Sequence, residues 1–166
     1  GEEDGSVRVF ASGLAAAGPP GRLESESQAE VGRFRVAGTV RALAFDPVKN
    51  EILLFGGGGV YAGRPGTWAY SPEANAWKKL ACDPLPPARC CSPLAVDAKN
   101  KLLVVFGGDA QDRLLDDTWV FDLEKREWRQ SKSKLHPAAR GGHGLAWEPK
   151  SGLVILARGY TQAVRA

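Results

Sequence analysis

The side chains that most often carry out chemistry in proteins are few in this sequence. There are two histidines, His136 and His143, and three cysteines. A lone histidine is a weak indicator of a ligand site, because histidine also serves in packing and in strand-end hydrogen bonds. A zinc site needs more ligands at closer spacing than these residues supply. No catalytic triad can be named, since such groups converge only in the fold. We therefore predict no catalytic residue, no metal and no cofactor.

Two further patterns invite a chemical interpretation. The glycine run Gly56–Gly59 lacks the Gly-Lys-Ser/Thr ending and the following helix that a phosphate-binding loop needs. The acidic residues Asp112, Asp116 and Asp117 fall on a predicted loop and at the start of a predicted strand. We expect these three carboxylates to form a solvated surface.

The cysteines leave two alternatives open. Cys82, Cys90 and Cys91 are odd in number, so at least one is unpaired within the monomer. A disulfide from Cys82 to Cys90 or Cys91 is conceivable in an oxidising compartment. The favoured interpretation is small, buried or half-buried thiols.

Composition excludes several classes of function. The 166 residues are 43% apolar and 25% charged, which is typical of a globular domain. The formal charge is only +3, and no cluster of aromatic and basic residues suits single-stranded nucleic acid, so the composition argues against nucleic-acid binding. No apolar run approaches the length of a membrane helix. The acidic opening is not a signal peptide, and the absence of methionine suggests a processed product, an excised piece or a fragment.

The strongest pattern is an internal repeat with an offset of 51 residues. Leu53-Leu54-Phe55-Gly56-Gly57 recurs as Val104-Val105-Phe106-Gly107-Gly108. The same offset relates further pairs: Asp46 and Asp97, Thr67-Trp68 and Thr118-Trp119, Trp77 and Trp128, Pro86 and Pro137, Arg89 and Arg140. A third copy begins at Leu145-Ala146 and has Arg158-Gly159 in place of the glycine pair. A period of about 50 residues is typical of a propeller array.

The unit resembles a kelch repeat, in which four antiparallel strands form one blade and the second strand ends in Gly-Gly. The resemblance implies an all-β fold of four-stranded blades in a kelch-type β-propeller. Its expected structural residues are the glycine pairs and the tryptophans: Gly56, Gly57, Gly107, Gly108, Trp68, Trp77, Trp119 and Trp128. Large aromatic side chains at these positions would fill the wedge between neighbouring sheets.

The resemblance also implies domain boundaries. Residues 1–37 form an N-terminal irregular segment with two candidate strands, and residues 38–166 hold the repeats. The repeats divide into a blade at 38–81, a blade at 89–131 and a half blade at 140–159. The N-terminal strands are candidates to supply the two strands that the half blade lacks. Since closed propellers have roughly four to eight blades, we expect an incomplete ring that needs blades from a longer chain or a second copy.

Kelch propellers commonly bind partners through loops at one end of the blades. By resemblance these loops are 58–66, 83–89, 109–116 and 132–140. Their exposed side chains are the binding candidates: Tyr61, Arg64, Asp112, Arg113, His136 and Arg140. For Arg140, which is equivalent to Arg89, a role in building the blade is an equal alternative.

The leading functional hypothesis is a non-enzymatic interaction scaffold for a protein or carbohydrate ligand. The alternative is part of a kelch-propeller enzyme, either a galactose-oxidase-like copper radical oxidase or a sialic-acid-processing protein. The oxidase would need a copper site of Tyr and His with a cross-linked Cys, and no pattern ties Tyr61, Tyr70 or Tyr160 together. A third hypothesis is a spacer in a larger extracellular protein. The turn sequences resemble those of bacterial kelch proteins, and this resemblance favours an exported protein.

Overall fold

The computed structural model describes residues 6–11, 29–35, 41–56, 66–134 and 136–162. The chain divides into two units, Gly1–Val36 and Ala37–Ala166. The first unit holds strands β1 (Ser6–Ala11) and β2 (Ala29–Arg35), which pair antiparallel with an irregularity between Val9 and Phe10. Completion of the half blade by these strands stays a prediction.

The second unit contains two four-stranded antiparallel sheets and one two-stranded sheet. The first blade is β3 (Arg41–Asp46), β4 (Glu51–Gly56), β5 (Gly66–Ser71) and β6 (Ala76–Leu80) in that spatial order. The second blade is β7 (Leu94–Asp97), β8 (Leu102–Asp109), β9 (Leu114–Asp122) and β10 (Glu127–Gln130). The half blade is β11 (Gly144–Glu148) and β12 (Leu153–Ala157). The described residues contain no helix, and the all-β prediction with four-stranded blades is confirmed.

The 51-residue repeat extends to the backbone conformation. Between the first two strands of each blade, Asn50, Lys101 and Gly152 adopt φ values of 54°, 57° and 70°. At the first position of the glycine pair in each copy, Gly56, Gly107 and Arg158 have φ values of 111°, 55° and 60°. Arg158 therefore takes the left-handed conformation that favours glycine, and the third copy keeps the backbone of the motif without its first glycine.

The glycine pair of the second blade is required for a second reason. A Cβ atom on Gly107 would lie 2.7 Å from the carbonyl oxygen of Arg140, and one on Gly108 would lie 2.8 Å from that of Cys90. We call residues 81–93, between β6 and β7, and residues 131–143, between β10 and β11, the inter-blade segments. The backbone of β8 thus approaches both inter-blade segments more closely than a side chain would permit.

The hydrophobic core lies between the two complete blades. Leu53, Phe55 and Ala69 of the first blade pack against residues of the second: Leu103, Val105, Trp119, Phe121, Leu123 and Trp128. The ring of Trp128 lies 4.9 Å from that of Phe55 and 5.0 Å from that of Phe121, centroid to centroid. Trp128 Nε1 also donates to Thr67 Oγ1 across the interface at 2.8 Å. One tryptophan therefore joins the two sheets by both ring packing and a buried hydrogen bond.

The inner strands of the three sheets are neighbours, since β7 contacts both β3 and β11. Beyond them, each end of the array has a sheet face with exposed apolar side chains. Leu43 and Phe45 on the first blade are 56% and 52% exposed, and Leu153 and Ile155 on the half blade are 61% and 50% exposed. By the repeat offset, Leu43 and Phe45 correspond to Leu94 and Val96, which pack on the inter-blade core.

Candidate interaction face

A buried ion pair supports the loops at one end of the second blade. The side chain of Arg89 is fully buried and binds Asp117 with two parallel hydrogen bonds, of 2.6 Å to Oδ1 and 2.8 Å to Oδ2. Arg89 also donates to the carbonyl oxygens of Pro87 at 3.1 Å and Gly107 at 3.0 Å. Trp119 Nε1 donates to the same carboxylate at 2.8 Å. Arg89 thus ties the inter-blade segment to both β8 and β9.

The expectation that Asp117 belongs to a solvated acidic surface is wrong. Its side chain is only 15% exposed, because the carboxylate turns inward to neutralise Arg89. Burial alone would raise the pKa of Asp117, but the hydrogen bonds and charge of Arg89 outweigh it and hold that pKa below its ordinary value. Asp112 and Asp116 do lie on the surface, with side chains 69% and 56% exposed.

The turn between β8 and β9 presents two charged side chains on a braced backbone. Ala110 N donates to the carbonyl oxygen of Arg113 at 3.0 Å, and Gln111 N donates to Asp109 Oδ1 at 2.7 Å. Asp109 also exchanges two 2.9 Å backbone hydrogen bonds with Cys90. At the tip, Arg113 and Asp112 form an ion pair of 3.0 Å while remaining largely exposed. Hydrogen bonds within the turn therefore hold the backbone that carries the Asp112–Arg113 pair.

A polar cleft lies beside this turn. It has a volume of about 170 Å³ and is lined by Asp116, Asp117, Thr118, Gln130, Ser131, Ser133 and His136. His136 Nδ1 lies 3.6 Å from Asp116 Oδ2, and both side chains are about half exposed. Residues 109–116, 130–134 and 136–138 form what we call the loop face. Three of the candidates, Asp112, Arg113 and His136, lie on it.

Arg140 occupies a different environment from the loop face. Its Nε donates to the carbonyl oxygen of Ala138 at 3.0 Å, and its NH1 donates to that of Arg158 at 3.1 Å. These acceptors are the repeat equivalents of Pro87 and Gly107, so Arg140 repeats the backbone contacts of Arg89. Arg140 therefore donates to the backbone of its own repeat, and its role in binding a partner stays a prediction.

Three predicted residues, Tyr61, Arg64 and Gly57, lie outside the described residues. His143 lies in the interior, 5% exposed, with its ring edge-on to Phe106. Burial, and then the positive charge of Arg140, lower the pKa of His143. Among the tryptophans, Trp119 and Trp128 are buried, Trp68 lies under the Lys79 amine at 5.6 Å and Trp77 packs on Tyr70 at 5.3 Å.

The described residues offer no converging set of three His, Cys, Asp or Glu side chains for a metal. All three cysteines are free thiols there. Burial raises the pKa of Cys82, and burial with the adjacent Cys91 raises the pKa of Cys90 to about 12. Thiols protonated in this way are poor nucleophiles and metal ligands. Within the described part of the chain, no helix is long and apolar enough to cross a membrane.

Sequence comparison identifies the family. Residues 26–162 match the model of the KLHDC2/KLHL20/DRC7 Kelch-repeats domain. The chain belongs to the kelch-repeat family.

Proteins of plants and fungi are among the relatives. The chain is 38% identical over 88 residues to Adagio-like protein 3 of Oryza sativa subsp. japonica, covering 51% of this chain and 14% of that protein. It is 32% identical over 114 residues to Adagio-like protein 1 of the same plant, covering 65% and 18%. The tRNA wybutosine-synthesizing protein 4 of Saccharomyces cerevisiae (strain ATCC 204508 / S288c) is 32% identical over 79 residues, 47% of this chain and 11% of that protein. The kelch chain thus spans less than a fifth of these curated relatives.

The sequence does not indicate the role of Asp117. It does indicate a structural role for Arg89, since Arg89 and Arg140 occupy equivalent repeat positions. Asp117 has no acidic counterpart in the repeat, because the equivalent position in the first blade is Gly66.

Proposed function

We propose that this kelch chain is a protein-interaction module whose partner binds the loop face. The observation that carries the proposal is the exposed Asp112–Arg113 pair on a turn held by internal hydrogen bonds. Loops on a rigid scaffold are the common place for binding residues. Arginine is enriched in protein interfaces, and a fixed backbone reduces the ordering cost of association.

The adjacent cleft supports the same proposal. Asp116 and His136 offer an exposed carboxylate and an imidazole next to Ser131 and Ser133. A partner with basic and hydroxyl groups would find both charge and hydrogen-bonding complements there. The Arg89–Asp117 pair beneath the face keeps the strand ends in place.

Site-directed photo-crosslinking tests this proposal. A photoreactive residue at position 113 should capture a partner from extracts of the cells that express the protein. The matched control is position 125, on the exposed turn at the opposite end of β9. Capture at position 125 that equals capture at position 113 would rule out the loop face.

We also propose that further blades cover the two outer apolar faces, supplied by a longer chain or by a second copy. Leu43 and Phe45 at one end, and Leu153 and Ile155 at the other, correspond to the two sides of an inter-blade contact. Light scattering after size exclusion tests the proposal. A discrete dimer would indicate a second copy, and open-ended association reduced by Phe45→Lys or Ile155→Lys would indicate a longer chain. A monodisperse monomer unaffected by either substitution would contradict a second copy as the source.

A further inference from the structure

Two adjacent thiols lie in contact shortly before the first strand of the second blade. Cys90 and Cys91 belong to the inter-blade segment at 81–93, and their Sγ atoms are 3.4 Å apart. Successive side chains of an extended chain point to opposite sides. Cys91 departs from this alternation, because its φ of 53° lies in the left-handed region. The two thiols therefore meet on the same side of the backbone.

Hydrogen bonds to distant parts of the chain hold the backbone of both cysteines. Cys90 N donates to the carbonyl oxygen of Asp109, and Asp109 N donates to that of Cys90, both at 2.9 Å. Gly142 N, in the other inter-blade segment, donates to the carbonyl oxygen of Cys91 at 2.8 Å. The contact between the thiols is therefore set by β8 on one side and by the next inter-blade segment on the other.

The surroundings of the two thiols differ. Cys91, together with Ser92 and His143, lines a cavity of about 400 Å³ that is large enough for a small oxidant. Burial, and then the neighbouring Cys91, raise the pKa of Cys90 to about 12, so Cys90 is protonated at neutral pH. Because the thiolate is the reactive form of cysteine, Cys91 is the thiol that reacts first.

The third cysteine lies at the other end of the blade. Cys82 Sγ donates to the carbonyl oxygen of Arg126 at 3.5 Å, in the turn that follows β9. Cys90 instead bonds to Asp109, at the end of β8 beside the loop face. Cys82 therefore serves as a thiol of the same protein that is remote from the adjacent pair.

We propose that Cys90 and Cys91 form a redox modification site, which a peroxide converts reversibly into a disulfide between the two adjacent residues. With hydrogen peroxide, the Cys91 sulfur attacks one oxygen, the O–O bond breaks, and the thiol proton leaves with the other oxygen as water. The Cys90 sulfur then attacks the sulfenic acid of Cys91. The S–S bond forms, the S–O bond breaks, and the Cys90 proton leaves in a second water. Two thiols are thus oxidised by two electrons, and the peroxide is reduced to water.

Geometry favours the second step and makes the product easy to reduce. The low thiolate fraction of Cys90 slows its attack, but reacting atoms about 3 to 3.5 Å apart are already in position to react. Adjacent Cα atoms are about 3.8 Å apart across a trans peptide, closer than the roughly 4.4 to 6.8 Å of ordinary disulfides. A disulfide constrained in this way is more easily reduced than a relaxed one. The pair therefore suits a reversible modification.

The modification should reach the turn between β8 and β9 through Asp109. Closing a small ring around the Cys90–Cys91 peptide restricts the backbone angles of both residues, and Cys90 exchanges two backbone hydrogen bonds with Asp109. Asp109 also accepts a hydrogen bond from Gln111 N within the turn at 2.7 Å. We therefore expect oxidation to loosen the start of this turn. The modification itself does not depend on the function proposed for the loop face.

Thiol counting and peptide mapping test the proposal. The 166-residue chain is reduced, treated with hydrogen peroxide and then labelled with N-ethylmaleimide. The reduced protein should accept three labels, one for each thiol, and the oxidised protein one, at Cys82. Trypsin separates residues 80–89 from residues 90–99. The disulfide should lie within the peptide 90–99, which loses two hydrogen atoms, and dithiothreitol should restore all three labels.

Three outcomes of this experiment would overturn the proposal. Retention of three labels after oxidation would show that no disulfide forms. A link between peptides 80–89 and 90–99 would show that Cys82 is a partner instead. Labels that dithiothreitol fails to restore would show that the oxidation is irreversible.

Single substitutions separate the roles of the thiols. Cys82→Ser is the matched control and should form the same disulfide. Cys90→Ser leaves the sulfenic acid of Cys91 without a second thiol, so it should continue to a sulfinic acid that dithiothreitol does not reduce. Cys91→Ser should be oxidised at least about tenfold more slowly, because burial keeps Cys90 protonated. Equal oxidation of the Cys90 and Cys91 variants would overturn the assignment of Cys91 as the first thiol to react. If either variant fails to fold, the peptide map of the unmodified protein still decides the pairing.

Hydrogen exchange of the reduced and oxidised chains tests the structural effect. Exchange should become faster at residues 109–113 and stay the same in the turn at 122–127, at the opposite end of the blade. Unchanged exchange at Asp109 in the oxidised protein would overturn the coupling between the cysteine pair and the turn.

Discussion

The buried guanidinium of Arg89 is neutralised by one carboxylate, and the local stability of the second blade depends on that pair. Asp117 approaches it at 2.6 Å, and three elements meet there: the inter-blade segment, β8 and β9. Two charges that are bidentate and largely removed from water are costly to separate, because the remaining charge stays buried without compensation.

Replacement of Asp117 tests this role. We expect Asp117→Asn to lower the free energy of unfolding by about 3 kcal/mol, because Arg89 keeps its charge and loses its counter-ion. Asp116→Asn, at an exposed neighbouring position, should change it by less than about 0.5 kcal/mol. Urea titration followed by tryptophan fluorescence measures both. Equal effects of the two substitutions would show that the Arg89–Asp117 pair contributes no more to the free energy of unfolding than an exposed aspartate does.

His143 should make stability dependent on pH. Its pKa is lowered in the folded protein, first by burial and then by Arg140, from an ordinary value of about 6.5. Below about pH 6.5 the unfolded chain therefore binds more protons than the folded one, and stability falls as pH falls toward the folded-state pKa. Above that pH the contribution is fully present.

Thermal unfolding at pH 5 to 8 measures this dependence. The midpoint temperature should fall on acidification, and His143→Gln should flatten the part of the curve between pH 5 and 7. His136→Gln, at an exposed position, is the matched control and should leave the curve unchanged. If the midpoint temperature of His143→Gln depends on pH as steeply as that of the unmodified protein, His143 is not the cause of the dependence.

At the scale of the element, one tryptophan joins the two complete blades. Trp128 is 2% exposed, and its repeat equivalent Trp77 is only partly buried. The two tryptophans occupy the same repeat position in different surroundings. Trp77 is therefore the matched control for substitutions of Trp128.

We expect Trp128→Ala to lower the free energy of unfolding by about 3 to 5 kcal/mol, because it opens a cavity in the inter-blade core. Trp77→Ala should cost clearly less. Trp128→Phe keeps most of the ring and should cost about 1 to 3 kcal/mol, since the buried hydroxyl of Thr67 loses its donor. Urea titration measures all three, and a Trp77→Ala effect as large as that of Trp128→Ala would contradict the assignment of the core.

The strands could be predicted well from the sequence because the repeat is so regular. The offset placed the apolar strands and the glycine pair of each complete blade. It did not predict that Arg158 would adopt the conformation of Gly107, since neighbouring strands can impose a left-handed φ on arginine at a modest cost. Asp117 was predicted to be solvated, because an aspartate is expected at the surface unless its buried partner is known.

The second unit, Ala37–Ala166, is a short kelch array with a loop face at one end of its blades and apolar sheet faces at both ends of the array. The family resemblance predicted the blades and the general position of the loops. It could not predict that Arg89 is buried against a carboxylate while Arg113 is exposed, because the two arginines differ only in their surroundings. Those surroundings depend on contacts between residues far apart in sequence.

Hydrogen exchange of the kelch chain with its captured partner bound shows whether the partner covers the loop face. We expect slower exchange in residues 109–116, 130–134 and 136–138, which form the loop face. We expect no change in the turns at 98–101 and 122–127, at the opposite end of the same blade. Protection confined to those opposite turns, with the loop face exchanging as in the free protein, would contradict the proposed function.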